Sequence, residues 1–449
     1  MTARNGRGRH GLGACALLLG CMSATAVHAE NLADVYALSK AGDPKYRAAR
    51  YEFEAVELTQ TQARAALLPN VAFEMSHTKT KQDILDSKNT VYASGSTDFP
   101  TDNRTLTIAQ PIFKLAAWRG YTQAKAAVKQ AAAAFGAAEQ DLVLRTATAY
   151  LEALAAQDAL VFAKAEKDAV KRQFDLTRQK KESGLATKAN LHDAEARYAL
   201  KEADEVAAQN DLADKLQALQ ELTGKPITQL AALHEEIPLA QPEPADIGQW
   251  VASAIDHNLA LEARRQAADV AQKEVDRQRA GHYPVLDLTA TKNRRTTGGS
   301  LFGGGSDVDT TDLMVRFNLP LYAGGGTQAI VEESAKRYQA SLEDLERDRR
   351  LTERQTRAAY QGVTGGIVRV HALGQSVLAQ ESARQVKEEG FKSGLETVLA
   401  VLDAERDLYA AKRDSAQSRY DFLLNKLRLK QAVGTLSEAD LAEINELMK

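Results

Sequence analysis

Ser183-Gly184-Leu185-Ala186-Thr187 recurs 210 residues later as Ser393-Gly394-Leu395-Glu396-Thr397, and the register holds outward from both copies. Downstream, Asp193-Ala194-Glu195 meets Asp403-Ala404-Glu405, Leu219 meets Leu429 and Gly224 meets Gly434. Upstream, Ala149-Tyr150 meets Ala359-Tyr360, while Pro111 aligns with Pro320 and Pro69 with Pro284 after small shifts. A period this long exceeds a solenoid unit, so each copy is a substantial structure. The reading divides the chain into a leader, 1–29, and two tandem repeats, 30–239 and 240–449.

Both repeats carry the same pattern. A helical segment (Pro44–Leu68, Leu259–His282) stops before Pro69 or Pro284, because the residue before a proline is pushed out of helical geometry. Alternating segments follow. Val71, Phe73 and Met75 share one face; Leu106 and Ile108 alternate with threonines; Leu286, Leu288 and Ala290 alternate with Asp287, Thr289 and Thr291. Leu313, Val315, Phe317 and Leu319 alternate with Met314, Arg316 and Asn318. A period of two predicts strands, paired across polar loops at Lys79–Asp102 and Lys292–Asp312. Glycines at 298, 299 and 303–305 suit a flexible loop there, and Gly324-Gly325-Gly326 suits a passage from strand to helix.

Beyond Pro111 and beyond Pro320 lie two proline-free tracts rich in strong helix formers. A helix over Gln123–Glu182 would run about 90 Å, too long for a compact domain. Gly184 and Gly394 interrupt these tracts, each able to turn the chain into a helical hairpin. Leu212, Leu216 and Leu219 supply the seam of the return limb. The segment Thr223–Gln249, with four prolines, separates the repeats.

Composition excludes several functions. No run of 18 apolar residues exists among the 449 and mean hydropathy is −0.37, which rules out a spanning α-helix but not a β-barrel. Arg4, Arg7 and Arg9, the apolar stretch from Leu12 to Met22 and Val27-His28-Ala29 make a secretory signal peptide. Leu18-Leu19-Gly20-Cys21 offers an alternative lipoprotein cleavage, with a lipid on Cys21. Cys15 and Cys21 are the only cysteines, so the exported part has no thiol chemistry. It carries 54 basic against 60 acidic residues, a formal −6, and no basic footprint for nucleic acid.

Four membrane-capable strands cannot close a barrel alone, since single-chain outer-membrane barrels start at about eight. An open edge in lipid strands backbone groups at several kcal/mol each. Strands that cross a membrane must therefore share one barrel among several chains. The rival reading is a secreted periplasmic coiled-coil scaffold or adaptor with no membrane crossing.

Glu30-Asn31-Leu32, Leu67-Leu68-Pro69, Gln110-Pro111-Ile112-Phe113 and Leu319-Pro320-Leu321-Tyr322 resemble the TolC family of outer-membrane export channels. Gly394-Leu395-Glu396-Thr397-Val398-Leu399-Ala400-Val401-Leu402-Asp403-Ala404, with Tyr409 and Gly434-Thr435-Leu436, carries the resemblance furthest. It implies an α+β membrane protein, a homotrimer with four transmembrane β-strands per chain in one twelve-stranded barrel. Long antiparallel helices below it would form a periplasmic tunnel. Pro69 and Pro284 would mark the helix-to-strand junctions, Pro111 and Pro320 the strand-to-helix junctions. The motifs look most like the branch serving type I protein secretion, alongside efflux of small molecules. The resemblance also implies a periplasmic adaptor (a membrane fusion protein) docking at Gly184, Leu185, Gly394 and Leu395. Through it the channel would reach an inner-membrane transporter, while its strands contact outer-membrane lipid. Acidic residues at the Asp403 position line the family's narrow periplasmic entrance, with Asp193 matched in the other repeat. Ala400 replaces a second family aspartate, so the acidic ring would be weak.

No catalytic or cofactor pattern competes. The six histidines beyond the leader lack ligand-like spacing, and Gly224-Lys225 is followed by Pro226 without the glycine of a nucleotide loop. The sequence reads as a passive duct, not an enzyme, with no cofactor or metal.

Overall fold

The computed structural model describes residues 30–86, 95–299 and 304–448. The expected leader with Cys15 and Cys21, and Gly303, lie outside the described residues. From Leu32 the chain forms α1 (Leu32–Gly42), α2 (Pro44–Ala65), β1 (Asn70–Ile84), β2 (Gly95–Lys114), α3 (Leu115–Glu182) and α4 (Lys188–Thr223). The same order follows as α5 (Ile247–His257), α6 (Leu259–Arg279), β3 (Val285–Thr297), β4 (Ser306–Asn318), α7 (Gly326–Lys392) and α8 (Val398–Ala432), with α9 (Glu438–Asn445) last. The protein is mostly helical with one small antiparallel sheet.

Local chemistry places the breaks. The Asp43 carboxylate accepts from the Lys45 and Tyr46 amides, and Pro44 opens α2, where a missing N–H costs nothing. Asn258 caps α6 in the same way through the Leu261 amide. With no proline inside it, α3 runs 68 residues, about 100 Å at 1.5 Å per residue. No described helix is long and apolar enough to cross a membrane.

The sheet has strand order β1-β2-β3-β4, leaving β1 and β4 as open edges. Pairing continues to Ile84↔Gly95 and Thr297↔Ser306, well into the segments the sequence reading assigned to polar loops. Threonine-rich alternation sustains a ladder in water, because strand pairing needs backbone partners rather than an apolar face. Cross-strand ion pairs such as Arg294–Asp307 (2.6 Å) and Lys292–Asp309 (3.6 Å) join these extensions. Pro111 lies within β2 rather than at its end. It sits beside a shift of register between Pro111 and Phe113, where a residue without an N–H is tolerated. Pro69 directly precedes β1, Pro284 directly precedes β3, and Pro320 lies between β4 and α7.

Below the sheet the four helices stand side by side in the order α2–α3–α6–α7. Phe53 stacked on Phe135, Gln123 donating to Glu274 (2.8 Å), and Arg264–Asp348 (2.7 Å) mark the successive contacts. Further from the sheet the order becomes α4–α3–α8–α7, with α3/α4 and α7/α8 as helical hairpins. The main core lies where these two arrangements meet. Leu142, Tyr150, Leu151 and Leu154 of α3 pack there with Phe422 and Leu427 of α8, and with α1 and α9.

The segment between α4 and α5 is part of this core rather than a plain spacer. Leu230 and Leu233 are buried, Glu30 bridges Leu230, and Leu233 bridges Met448. The buried Tyr150 hydroxyl lies 3.0 Å from the Glu30 carbonyl and 3.1 Å from that of Ala231, and accepts the Ala231 N–H at 3.1 Å. Burial pushes its pKa well above the ordinary tyrosine range. The Ala231 N–H also donates to the Glu30 carbonyl at 3.3 Å, so Tyr150→Phe should weaken the hold on that amide, take the hydroxyl from the Ala231 carbonyl and cost about 1 kcal/mol. Chemical unfolding in detergent, with faster hydrogen exchange at the Ala231 amide, measures it; unchanged exchange there would show the hydroxyl to be dispensable.

Candidate functional site

Two regions stand out for their chemistry: the sheet and the far ends of the hairpins. Directly paired residues of a sheet share a face. The register therefore draws one apolar band across all four strands: Val71–Ile108–Ala290–Leu313, continued by Leu288–Val315 and by Leu286–Phe317. Its members are largely open, Phe73 at 68% and Leu313 at 74%. The reverse face runs Ala72–Thr107–Thr291–Asp312 and Glu74–Thr105–Asn293–Thr310, with a Thr105–Asn293 hydrogen bond of 3.1 Å. One face suits hydrocarbon and the other water. All four strands exceed the roughly 9–11 residues that cross a bilayer at a tilt, the shortest having 13.

At the hairpin ends the repeated Ser-Gly-Leu-Xaa-Thr explains itself. Gly184 adopts φ 76° and Gly394 φ 79°, left-handed angles that favour glycine. Leu185 N–H donates to the Lys180 carbonyl (2.7 Å) and Gly184 N–H to that of Lys181 (3.1 Å), closing a paired C-terminal cap. Leu395 and Gly394 repeat this with Gly390 and Phe391. Thr187 and Thr397 then open the return helices by accepting the Asn190 and Ala400 amides, each at 3.2 Å. Five residues thus end one helix and start the next. The turn leaves Leu185 79% and Leu395 85% exposed, an apolar side chain at each tip.

The two hairpins touch near these tips. Lys180 sits 3.8 Å from the centroid of the Phe391 ring. Asp403 of α8 is bound by Arg197 of α4 at 2.8 Å and approached by Arg406 at 3.7 Å. Asp193, its repeat mate, is exposed on α4, so the two aspartates stand in different surroundings. Glu405, two residues beyond Asp403, is half-desolvated, and burial raises its pKa despite Arg384 at 3.5 Å.

Glu166 of α3 escaped the sequence reading. Its side chain is 2% exposed and meets Lys201 of α4 at 2.8 Å and Arg413 of α8 at 3.0 Å. It thereby joins three helices from both hairpins. Burial alone would lower the Lys201 pKa, but hydrogen bonds to Glu166 and Asp204 more than offset it, leaving the ammonium above its usual range. Partners 35 and 247 residues away leave no local signal.

The model of the outer membrane efflux protein family matches residues 35–225 and 250–435. The chain belongs to that family. It is 33% identical to outer membrane protein TolC of Vibrio cholerae, covering 96% of each chain. It is 29% identical to the proteases secretion protein PrtF of Dickeya chrysanthemi, covering 94% of this chain and 92% of the relative. The fold superposes on the Campylobacter jejuni CmeC outer membrane channel with a TM-score of 0.79 at 15% identity, covering 94% and 90%. The protein is thus an outer-membrane channel component of secretion or efflux.

Glu166→Ala should remove the carboxylate that Lys201 and Arg413 share, leaving Lys201 to Asp204 of its own helix, and weaken the join between hairpins by about 1.5–3 kcal/mol. Limited proteolysis should then cut within α4 or α8 sooner than in the wild type, while Glu195→Ala should leave the rate unchanged. Equal cutting of Glu166→Ala and wild type would show that the buried carboxylate does not hold the hairpins.

Proposed function

We propose that three copies of this chain close one barrel in the outer membrane and continue it as a helical duct into the periplasm. The observation carrying this reading is the four-stranded sheet with one apolar face, one polar face and two unpaired edges. Lipid supplies no hydrogen bonds to those edges, whereas β4 of one copy and β1 of the next can satisfy each other. Four strands in each of three copies give a barrel wider than the roughly eight strands whose interior side chains fill. The two-repeat division at 30–239 and 240–449, after a leader at 1–29, belongs to the same reading.

Each hairpin tip offers an exposed leucine on a rigid capped turn, suited to a periplasmic adaptor carrying a complementary apolar groove. Gly184, Leu185, Gly394 and Leu395 form that docking surface. An inner-membrane transporter coupled through the adaptor supplies the energy. Cargo is protein of the type I secretion class, by likeness to the protease-secretion relative.

The test of the barrel compares neighbours on opposite faces of β4. Val315→Arg places a charge among Leu313 and Phe317 and should cost about 2–4 kcal/mol at the membrane midplane. Met314→Arg joins Arg316 on the polar face and should assemble and conduct in a planar bilayer. Equal membrane yield of the two would overturn the assignment of faces.

At the constriction, three copies bring Asp403 and Asp193 toward the axis, but Arg197 and Arg406 oppose the Asp403 charge. The pair is part-exposed and worth at most about 1 kcal/mol, so removing it should spare folding. Arg197→Met should shift the reversal potential toward cations, and Asp403→Asn should shift it toward anions. Identical selectivity in both variants and wild type would place these groups away from the narrow point.

A further inference from the structure

The apolar face of the sheet is bounded at both ends. At the helix end, exposed aromatic side chains gather at three of the four junctions: Phe113 and Trp118 where β2 passes into α3, Tyr283 before β3 and Tyr322 after β4. Tyrosine and tryptophan settle at the level of lipid headgroups, the ring in the apolar layer and the polar tip in water. From that level the apolar face runs away from the helices. Phe113 lies nine residues from Arg104 along β2, and Tyr283 nine residues from Lys292 along β3. At about 3.3 Å per residue and a tilt of about 40°, that is roughly 23 Å of height, close to the ~25 Å apolar band of outer-membrane barrels. Arg104 and Lys292 thus stand where the apolar layer ends, on the side away from the helices.

On that face they are the first charged residues beyond the band on their strands. Along β2, Arg104, Leu106 and Ile108 are exposed while Asn103, Thr105 and Thr107 are half-buried, so the apolar side is the open one. The register sets Lys292 beside Leu106, and Arg104 beside Arg294 in the next row. Arg104 and Lys292 are therefore diagonal neighbours, close enough for two long side chains to meet one group between them. Carboxylates answer only part of this charge. Asp307 takes Arg294 through Nε (3.1 Å) and Nη2 (2.6 Å), while Asp309 lies 3.6 Å from Lys292, beyond hydrogen-bond distance. Asp102, further out on β2, is held by His77 at 2.7 Å. Among the described residues, Arg104 has no carboxylate partner.

We propose that Arg104 and Lys292, backed by Arg294, seat the phosphate of an anionic lipid headgroup in the outer leaflet. This rests on the outer-membrane barrel reading above and names the headgroup that its rim selects. A guanidinium gives two parallel N–H bonds to phosphate oxygens, and the lysine ammonium adds another. Arg104 directly opposite Arg294 is unfavourable in a bare ladder, and an anion between them reverses the sign. The acyl chains lie along Leu106, Ile108 and Phe73, exposed on the same face. Free phosphate offers the same oxygens but nothing for that apolar surface, so the lipid is the occupant.

The experiment uses the full chain, extracted in detergent with equal amounts of phosphatidylglycerol and phosphatidylcholine, and reads retained lipid by native mass spectrometry. The wild type should retain phosphatidylglycerol over phosphatidylcholine by about fivefold or more, the discrimination that one cation near a headgroup provides. Arg104→Gln with Lys292→Gln should make the two lipids equal, with helix content and conductance in phosphatidylcholine bilayers unchanged. Arg104→Gln alone should at least halve the ratio. Arg295→Gln, on the reverse face of β3, should keep the wild-type ratio, as should an excess of inorganic phosphate. No preference in the wild type, full preference in the double variant, equal loss in Arg295→Gln or displacement by inorganic phosphate overturns the lipid seat. A wild type that never inserts into phosphatidylcholine bilayers would instead overturn the barrel reading.

Discussion

A backbone amide in hydrocarbon has no water to turn to, and the rest of this architecture follows from that constraint. The sheet satisfies its interior amides through the three ladders from β1 to β4 and leaves two edges unpaired. In water such edges invite aggregation; in lipid they are too costly to persist. In the proposed channel each edge is therefore met by a neighbouring copy, and the helix order continues the β1 edge downward as α2 and the β4 edge as α7.

Two kinds of bonding divide the labour below the sheet. Near the middle, where helix neighbours change, apolar packing dominates: α1, α9 and the segment between α4 and α5 wrap α3 and α8 around buried leucines and Tyr150. Toward the tips, the apolar core thins and charges take over, with Glu166 between Lys201 and Arg413 and Asp403 against Arg197. Buried apolar contacts are indifferent to small shifts in direction, whereas ion pairs hold specific side chains together.

Much of this was legible in order of residues. The matched Ser-Gly-Leu-Xaa-Thr segments announce two helical hairpins because cap chemistry is local: glycine at the left-handed position, threonine at the start of the next helix. Period-two alternation marks the apolar strand faces for the same reason. The polar ends of the strands were missed, since Lys79–Asp102 and Lys292–Asp312 carry no apolar alternation, and their pairing depends on a partner strand. Pro111 looked like a boundary but sits inside β2, because an irregular register absorbs its missing N–H.

By itself, then, the sequence determined the long helices, their turns and the apolar strand faces, all set by contacts within a few residues or by period, while α1, α5 and α9 emerged only in the structure. Tertiary structure decided what lies between distant segments. Asp403 reads in sequence as an acidic position and in space as half of an ion pair with Arg197, 206 residues away. Glu166 reads as one more charge on a helix and becomes a buried junction of three. Coulombic partners are chosen by distance in space, which spacing along the chain does not encode.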